Sequence, residues 1–235
     1  MLKEPLYILA GGLGTRLRSV VSSVPKPLAP VHGKPFLQFL IEDWLDQGAA
    51  DFVFLVHYQA ELIAEFVQDL FATEPFTHCR ARIVVEPVLL GTGGAVANAI
   101  AELGYEGALM LVNADTWLPG ALLPLSNSIE PAMAVVEVDS LSRYGGVQIE
   151  GGRVTSFVEK GSSGGGQISA GLYRLRTKDF PQTGEAYSLE RDILPNLASI
   201  GQLNAVTLDC PFIDIGIPED YAKFVSSISR RVRDN

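Results

Sequence analysis

Apolar residues in this chain fall into short segments of two alternating kinds. LYILA (6–10), FVFLVHY (52–58), RIVVE (82–86) and ALMLVNAD (108–115) are strand-sized apolar runs, of the kind found in strands buried on both faces. Between them lie segments whose apolar residues stand three and four apart. These are PFLQFLIEDWLDQG (35–48), closed by Gly48, ELIAEFVQDLF (61–71), apolar at 62, 63, 66, 67 and 70, and TGGAVANAIAEL (92–103). That spacing predicts helices, and the strand–helix alternation predicts a parallel sheet with helices on both faces. Ligands of such sheets collect beyond the carboxyl ends of the strands. Residues just after strands are therefore the ones to examine for chemistry.

The second half changes character. AMAVVEV (132–138), VQIE (147–150) and RVTSFVEK (153–160) are short β runs, with Gly151-Gly152 as a hairpin turn. SSGGGQ (162–167) reads as a flexible loop, ISAGLYRL (168–175) as a strand and YSLERDILPNL (187–197) as a helix. Strands NAVTL (204–208) and FIDIG (212–216) follow, then a helix from Pro218. Its first turn holds Glu219 and Asp220, and its end Arg230, Arg231 and Arg233, which matches the helix dipole. No repeat or long linker divides the chain. One α/β domain over 1–235 is expected, with a first part to about 125 and a second from about 126.

Composition narrows the function classes. An apolar fraction of 47% with 19% charged residues fits a soluble globular protein with a sizeable core. No apolar run has the length of a membrane span, and the first residues are too short a stretch for a signal peptide, so a cytoplasmic location is expected. Cys79 and Cys210 form neither a disulfide framework nor a metal-type spacing. A net charge of −9 argues against a nucleic-acid partner. Small anions remain open, because they need only a local cluster of cations and free backbone N–H groups.

LAGGLGTRL (9–17) offers such a cluster. Gly11, Gly12 and Gly14 let the backbone approach a ligand, and the fork-shaped Arg16 beside them suits a polyphosphate. Leu17 stands where a dinucleotide fingerprint needs its third glycine, and no Walker GK[ST] follows. In VPKPLAPV (24–31), Pro25 and Pro27 are expected to hold Lys26 extended on an exposed loop, as a point charge for a phosphate. EPVLLGTGGAV (86–96) is a second glycine cluster at a strand end. Its backbone either lines a base, or Gly93 and Gly94 only admit close helix packing. Asp115 closes an apolar strand and Asp214 lies within another. Such carboxylates are costly unless paired or metal-bound. They suit Mg²⁺, which takes one or two carboxylates plus substrate phosphates, and each alone also fits an ordinary ion pair. His32, His57 and His78 form no acid–base constellation.

GGLGTRL, PKPLAPV, LGTGGA, a strand-end Asp, FVEK, SAGLY and FIDIGIPEDY occur in order from about residue 7 to 222. In this the chain resembles the sugar nucleotidyltransferase family. Within it, RYGGV and the LGTRLRSVVSSVPKPLAPV span are most similar to the D-glycero-α-D-manno-heptose 1-phosphate guanylyltransferases. The resemblance implies a Rossmann-like, mainly parallel mixed sheet of the nucleotide-diphospho-sugar transferase type, with the first part binding nucleotide and the second sugar phosphate. It implies that Leu9, Ala10, Gly11, Gly12, Gly14, Thr15, Glu86, Gly91 and Thr92 hold the nucleotide, Glu86 and Gly91 near the base. Arg16 would grip the triphosphate and Lys26 neutralise the reacting phosphates. Asp115 and Asp214 would bind Mg²⁺. Asn113, Glu159, Lys160, Ser169, Ala170 and Gly171 would form the sugar-phosphate side, Lys160 taking the phosphate. Two positions depart from the family pattern: Ala114 replaces a common Gly before Asp115, and Ser169 a common Asn.

The implied substrates are GTP and a sugar 1-phosphate, for a monomer or homodimer. No side chain in the sequence identifies the base. Rival readings are a uridylyltransferase for N-acetylmuramate 1-phosphate, a mannose-1-phosphate guanylyltransferase, and a catalytically silent module that binds nucleotide sugars. Retention of Arg16, Lys26, Asp115 and Asp214 together speaks against the last.

Overall fold

A computed structural model describes residues 2–233, and the side chains of 2–229. Strands β1 (Leu6–Leu9), β2 (Asp51–Val56), β3 (Arg80–Val85) and β4 (Ala108–Asn113) lie side by side in the order β3-β2-β1-β4, all parallel. Helices α1 (Phe36–Asp46), α2 (Ala60–Phe71) and α3 (Gly91–Leu103) supply the crossovers. Side chains alternate across the pleat. Leu6, Ile8, Phe52, Phe54, Met110 and Val112 pack on one face with α1 and α2. Tyr7, Val53, Leu55, Leu109 and Leu111 pack on the other with α3. Both faces of β1, β2 and β4 are covered, so these three carry few polar side chains, as their apolar runs imply, whereas the edge strand β3 leaves Arg80 and Val85 exposed.

The sheet continues through the second half. In chain order, β5 (Thr116–Trp117) is followed by α4 (Leu122–Ser126), β6 (Ala132–Val138), β7 (Gly146–Glu150), β8 (Arg153–Val158) and β9 (Gly166–Arg176). Then come a π-helical turn (Leu189–Ile193), α5 (Leu194–Ser199), β10 (Asn204–Thr207), β11 (Ile213–Asp214) and α6 (Pro218–Arg233). Beyond β4 the sheet runs β9-β6-β10-β8-β7, mostly antiparallel, giving nine strands in all. The long β9 joins the halves. It pairs with β4 through Leu172–Arg176 and with β6 on its other edge, with a break in register between Ser169 and Tyr173. Gly171, at φ +72°, sits in that break, where a Cβ would stand 2.6 Å from Asn113 Nδ2.

Three expectations need correcting. FIDIG forms only the two-residue β11, which pairs with β5 outside the main sheet, because Gly216 turns the chain at once. The helix expected over 187–197 starts at Leu189 as a π turn whose Ser188 side chain caps Arg191, and runs to Ser199. The 162–167 loop gives its last two residues to β9. The arginines at 230, 231 and 233 lie outside the described side chains. Among the described residues no helix is long and apolar enough to cross a membrane.

Candidate active site

The carboxyl ends of β1 and β4 open onto a cleft. Two adjoining cavities there, about 440 and 270 Å³, share Leu9, Gly12, Leu89 and Asp115. The first is also lined by Ala10, Gly14, Thr15, Arg16 and Lys26. The second takes in Gly11, Glu86, Gly91, Thr92 and Asn113. A larger cavity of about 760 Å³ lies at the opposite, amino-terminal edge of β4, near Tyr105 and Phe180. It contains none of the sequence candidates and lies away from the edge where parallel sheets bind ligands.

The glycines of the 9–17 loop answer to close packing. Gly14 adopts φ +60°, and a Cβ there would lie 3.0 Å from Lys26 Cβ; one on Gly11 would lie 2.8 Å from Glu86 Oε1. The loop is thus laid directly over Lys26 on one side and Glu86 on the other. Arg16 is exposed at the rim.

Lys26 is neither extended nor exposed, contrary to the sequence expectation. Pro25 is extended (ψ 151°), but Lys26 opens a 3₁₀ turn, Lys26–Leu28. Its side chain is only 11% exposed. The amine is drawn inward by two carboxylates, with Nζ 2.6 Å from Asp115 Oδ2 and 3.5 Å from Asp214 Oδ1. The small β5–β11 ladder brings those carboxylates together, since it sets Asp214 opposite Thr116. The Ile215 N–H also donates to Asp115 O. Asp115 Oδ1 accepts from the Thr116 hydroxyl (3.1 Å), and Asp214 Oδ1 from the Gly216 N–H (2.7 Å). Burial, and then the Asp115 charge, push the Asp214 carboxyl above its ordinary value despite Lys26. One lysine does not fully neutralise the pair. Among the described residues no third His, Cys, Asp or Glu joins them as a metal-ligating group.

Glu86 stands at the other end of the cleft. It is 7% exposed, and its Oε2 accepts from the Leu90 N–H (3.1 Å). Its backbone carbonyl is 3.0 Å from His57 Nδ1. Burial holds its carboxyl above the ordinary glutamate value, the Leu90 bond only partly offsetting this. The second glycine cluster resolves toward packing. A Cβ on Gly93 would overlap the Tyr187 ring at 2.3 Å, and both Gly93 and Gly94 donate their N–H groups to Tyr187 O. The start of α3 is therefore capped by the protein itself.

Glu190 is a cleft residue that the sequence reading missed. It lines the second cavity, and its Oε2 accepts from the hydroxyls of Thr92 (2.6 Å) and Ser188 (2.9 Å). Its π turn hides it from a 3.6-residue pattern, and only the Leu-Glu-Arg-Asp polarity of that turn hinted at a rim position.

The second-half candidates are less gathered. Ala170 and Gly171 lie at the β9 break beside Asn113. Ser169 turns its hydroxyl to Tyr173 OH, 2.9 Å away. Glu159 and Lys160 follow β8, are exposed, and do not line the cleft. Ala114 is buried and donates its N–H to Leu9 O (3.1 Å), so its methyl group faces core and cleft wall together.

The family model for nucleotidyl transferases matches residues 7–230. The D-glycero-alpha-D-manno-heptose 1-phosphate guanylyltransferase of Campylobacter jejuni is 35% identical over 93% of this chain and 97% of its own. Mannose-1-phosphate guanylyltransferase 1 of Arabidopsis thaliana is 34% identical over 91% of this chain and 62% of its own. The crystal structure of HddC from Yersinia pseudotuberculosis, complexed with GMP-PN, superposes with a TM-score of 0.79 at 35% identity. It covers 96% of this chain and 99% of that one.

Proposed function

This chain belongs to the nucleotidyl transferase family and is a sugar-1-phosphate nucleotidyltransferase; from that premise we propose that it joins GMP, taken from GTP, to D-glycero-α-D-manno-heptose 1-phosphate in the cytoplasm. The observation that carries the base assignment is the buried Glu86 carboxylate at the cleft edge. Guanine presents two adjacent donors, N1–H and the N2 amino group, and a carboxylate is an acceptor for both. Uracil and thymine offer one donor flanked by carbonyls, which a carboxylate repels. Adenine and cytosine set an acceptor beside their amino group. A buried group left unpaired by the wrong base supports large discrimination.

The chemistry follows from the charge layout. The sugar phosphate is already an oxyanion, so no general base is required. Its oxygen attacks the α-phosphorus of the triphosphate, a new P–O bond forms, the α–β bridge breaks, and pyrophosphate leaves with the bridging electrons. Lys26, fixed between two carboxylates, supplies a preset positive charge at the reacting centre, and Arg16 at the rim faces the departing phosphates. Asp115 and Asp214 fit Mg²⁺, because they are two hard oxygen donors carrying more charge than Lys26 neutralises, with no third His, Cys, Asp or Glu beside them among the described residues. When bound, the ion would neutralise phosphate charge. Asn113 and the β9 break at Ala170 and Gly171 form the nearer sugar wall.

Pyrophosphate release measured with GTP, UTP, dTTP, CTP and ATP against heptose and mannose 1-phosphates tests the proposal. GTP with the heptose should lead, with mannose 1-phosphate a poor substrate. A lead for UTP or dTTP overturns the guanylyl assignment, and a lead for mannose 1-phosphate overturns the heptose.

A further inference from the structure

The RYGGV segment has no part in the site described so far, yet it is tied firmly to the helix that leaves that site. Asp220, in the first turn of α6, is 5% exposed. Its Oδ2 lies 2.5 Å from Arg143 Nη1, and its Oδ1 accepts from Lys223 Nζ (2.9 Å). Lys223 is 69% exposed, so its share is screened by water. The Arg143–Asp220 contact is the more enclosed of the two, the Arg143 side chain being 38% exposed. The Arg143 guanidinium also stands 5.3 Å from the centre of the Tyr144 ring, and that ring meets Phe212 edge-on at 5.5 Å. Phe212 directly precedes β11, which carries Asp214.

Backbone bonds carry the hold onward. Leu141 N–H donates to Gly164 O (2.9 Å), and Gly161 N–H to Leu141 O (3.4 Å). The segment holding Arg143 is thereby stitched to the loop that starts at Glu159 and Lys160. One continuous path runs from α6 through Asp220, Arg143 and Leu141 to that loop. Its fixed end is the helix that begins two residues after Gly216, next to the Lys26–Asp115–Asp214 centre.

We infer that Asp220 is a positioning residue: by gripping Arg143 it holds the 139–146 and 159–164 loops at the distance from the Lys26 centre that sugar phosphate binding requires. This rests on the proposed function in taking a sugar 1-phosphate as acceptor, and on the sequence resemblance in giving Glu159 and Lys160 to it, since neither lines the cleft. Arg143 and Tyr144 themselves lie close enough to Asp214 to feel its charge. A buried carboxylate is a costly way to stabilise a helix start that an exposed one would serve, whereas a bridge between separate elements needs a fixed partner. Displacement of a substrate-positioning group by about 1 Å costs up to about 10²-fold in rate.

The test uses the full-length enzyme with Mg²⁺, GTP and whichever sugar 1-phosphate the parent turns over best, so that a wrong sugar assignment is seen first in the parent. Asp220→Asn keeps shape and removes the charge. KM for the sugar phosphate should rise about tenfold while KM for the triphosphate stays within twofold. Arg143→Ala should show the same split, and the double variant should be no worse than the poorer single one. Arg143→Lys should recover part of the sugar-phosphate affinity. If Asp220→Asn folds poorly, the half-exposed Arg143 variants carry the same comparison. Both KM values unchanged, or both rising together with a fall in Tm, would show a purely structural pair and overturn the inference.

Discussion

The two halves of this molecule organise their polar residues in opposite ways. In the parallel half every strand ends at the same edge, so the residues that follow Leu9, Val85 and Asn113 meet in one cleft even though they lie far apart in sequence. In the mostly antiparallel half neighbouring strands, β6 and β10 excepted, end at opposite edges. Lys160 follows β8 and stands in the open, while Ser169 lies within β9 at its break and is turned into a hydrogen bond with Tyr173. Parallel topology gathers a site by itself. Antiparallel topology needs added ties, and the β9 break and the Asp220–Arg143 pair are two of these.

The comparison is broken most severely at Lys26, where the gathered half depends on one amine. Lys26→Ala should lower kcat by about 10²-fold or more, the usual scale for losing a charge preset toward the transition state. It should also lower Tm in metal-free buffer, because Asp115 and Asp214 would then face each other uncompensated. Added Mg²⁺ should restore part of the Tm by binding the pair. Thermal melts with and without Mg²⁺, beside turnover, check this. A Tm unchanged in the absence of metal would mean that the carboxylates relax apart and that Lys26 does not hold the centre together.

Glu86→Gln should have a smaller effect, on selectivity rather than turnover. Losing an acceptor for guanine should cut the preference for GTP by about tenfold. The stability effect has a definite sign. A carboxyl raised in the folded state binds its proton more tightly there than in the unfolded chain. Its ionised form therefore costs stability above the folded value, and that cost fades below the ordinary value near ~4. Burial raises Glu86, so Glu86→Gln should melt higher than the parent at pH 7 to 8. The advantage should shrink as the pH is lowered through the raised value toward the ordinary one. A variant that melts lower at pH 8 would show that the Leu90 bond outweighs desolvation.

What could be read from the chain divides along the same line. The parallel half was legible because a strand buried on both faces has an apolar signature, and because Arg16 in the glycine loop directly after it turns a common structural turn into a candidate anion site. Lys26 was placed correctly in the chain but in the wrong environment, since its burial is set by Asp115 and Asp214, which are 89 and 188 positions away. Gly93 was ambiguous for a like reason: the Tyr187 ring that requires it comes from a segment 94 positions onward, and Gly94 is crowded by Leu90 Cβ and by Glu185 O from that same segment. Glu190 was missed because a π turn breaks helical periodicity. FIDIG looked like a core strand, yet its single ladder partner is the equally short β5, a pairing without a local signal.

The mildest test concerns Ser169, where family resemblance suggests sugar contact and the geometry shows an internal bond. Tyr173 is 1% exposed, and burial holds its hydroxyl far above the ordinary tyrosine value. The phenol therefore stays protonated, and Ser169 Oγ is the partner that keeps it satisfied. Ser169→Ala should strand that hydroxyl and destabilise the protein by about 1–3 kcal/mol, with KM for the sugar phosphate changing less than twofold. Tyr173→Phe in the same background removes the orphan, so the double variant should recover most of the lost stability. That recovery is the decisive readout, because an internal pair predicts it and a sugar ligand does not. If instead Ser169→Ala raises KM severalfold with Tm unchanged, the serine leaves Tyr173 when substrate binds, and the antiparallel half gathers its site only in the complex.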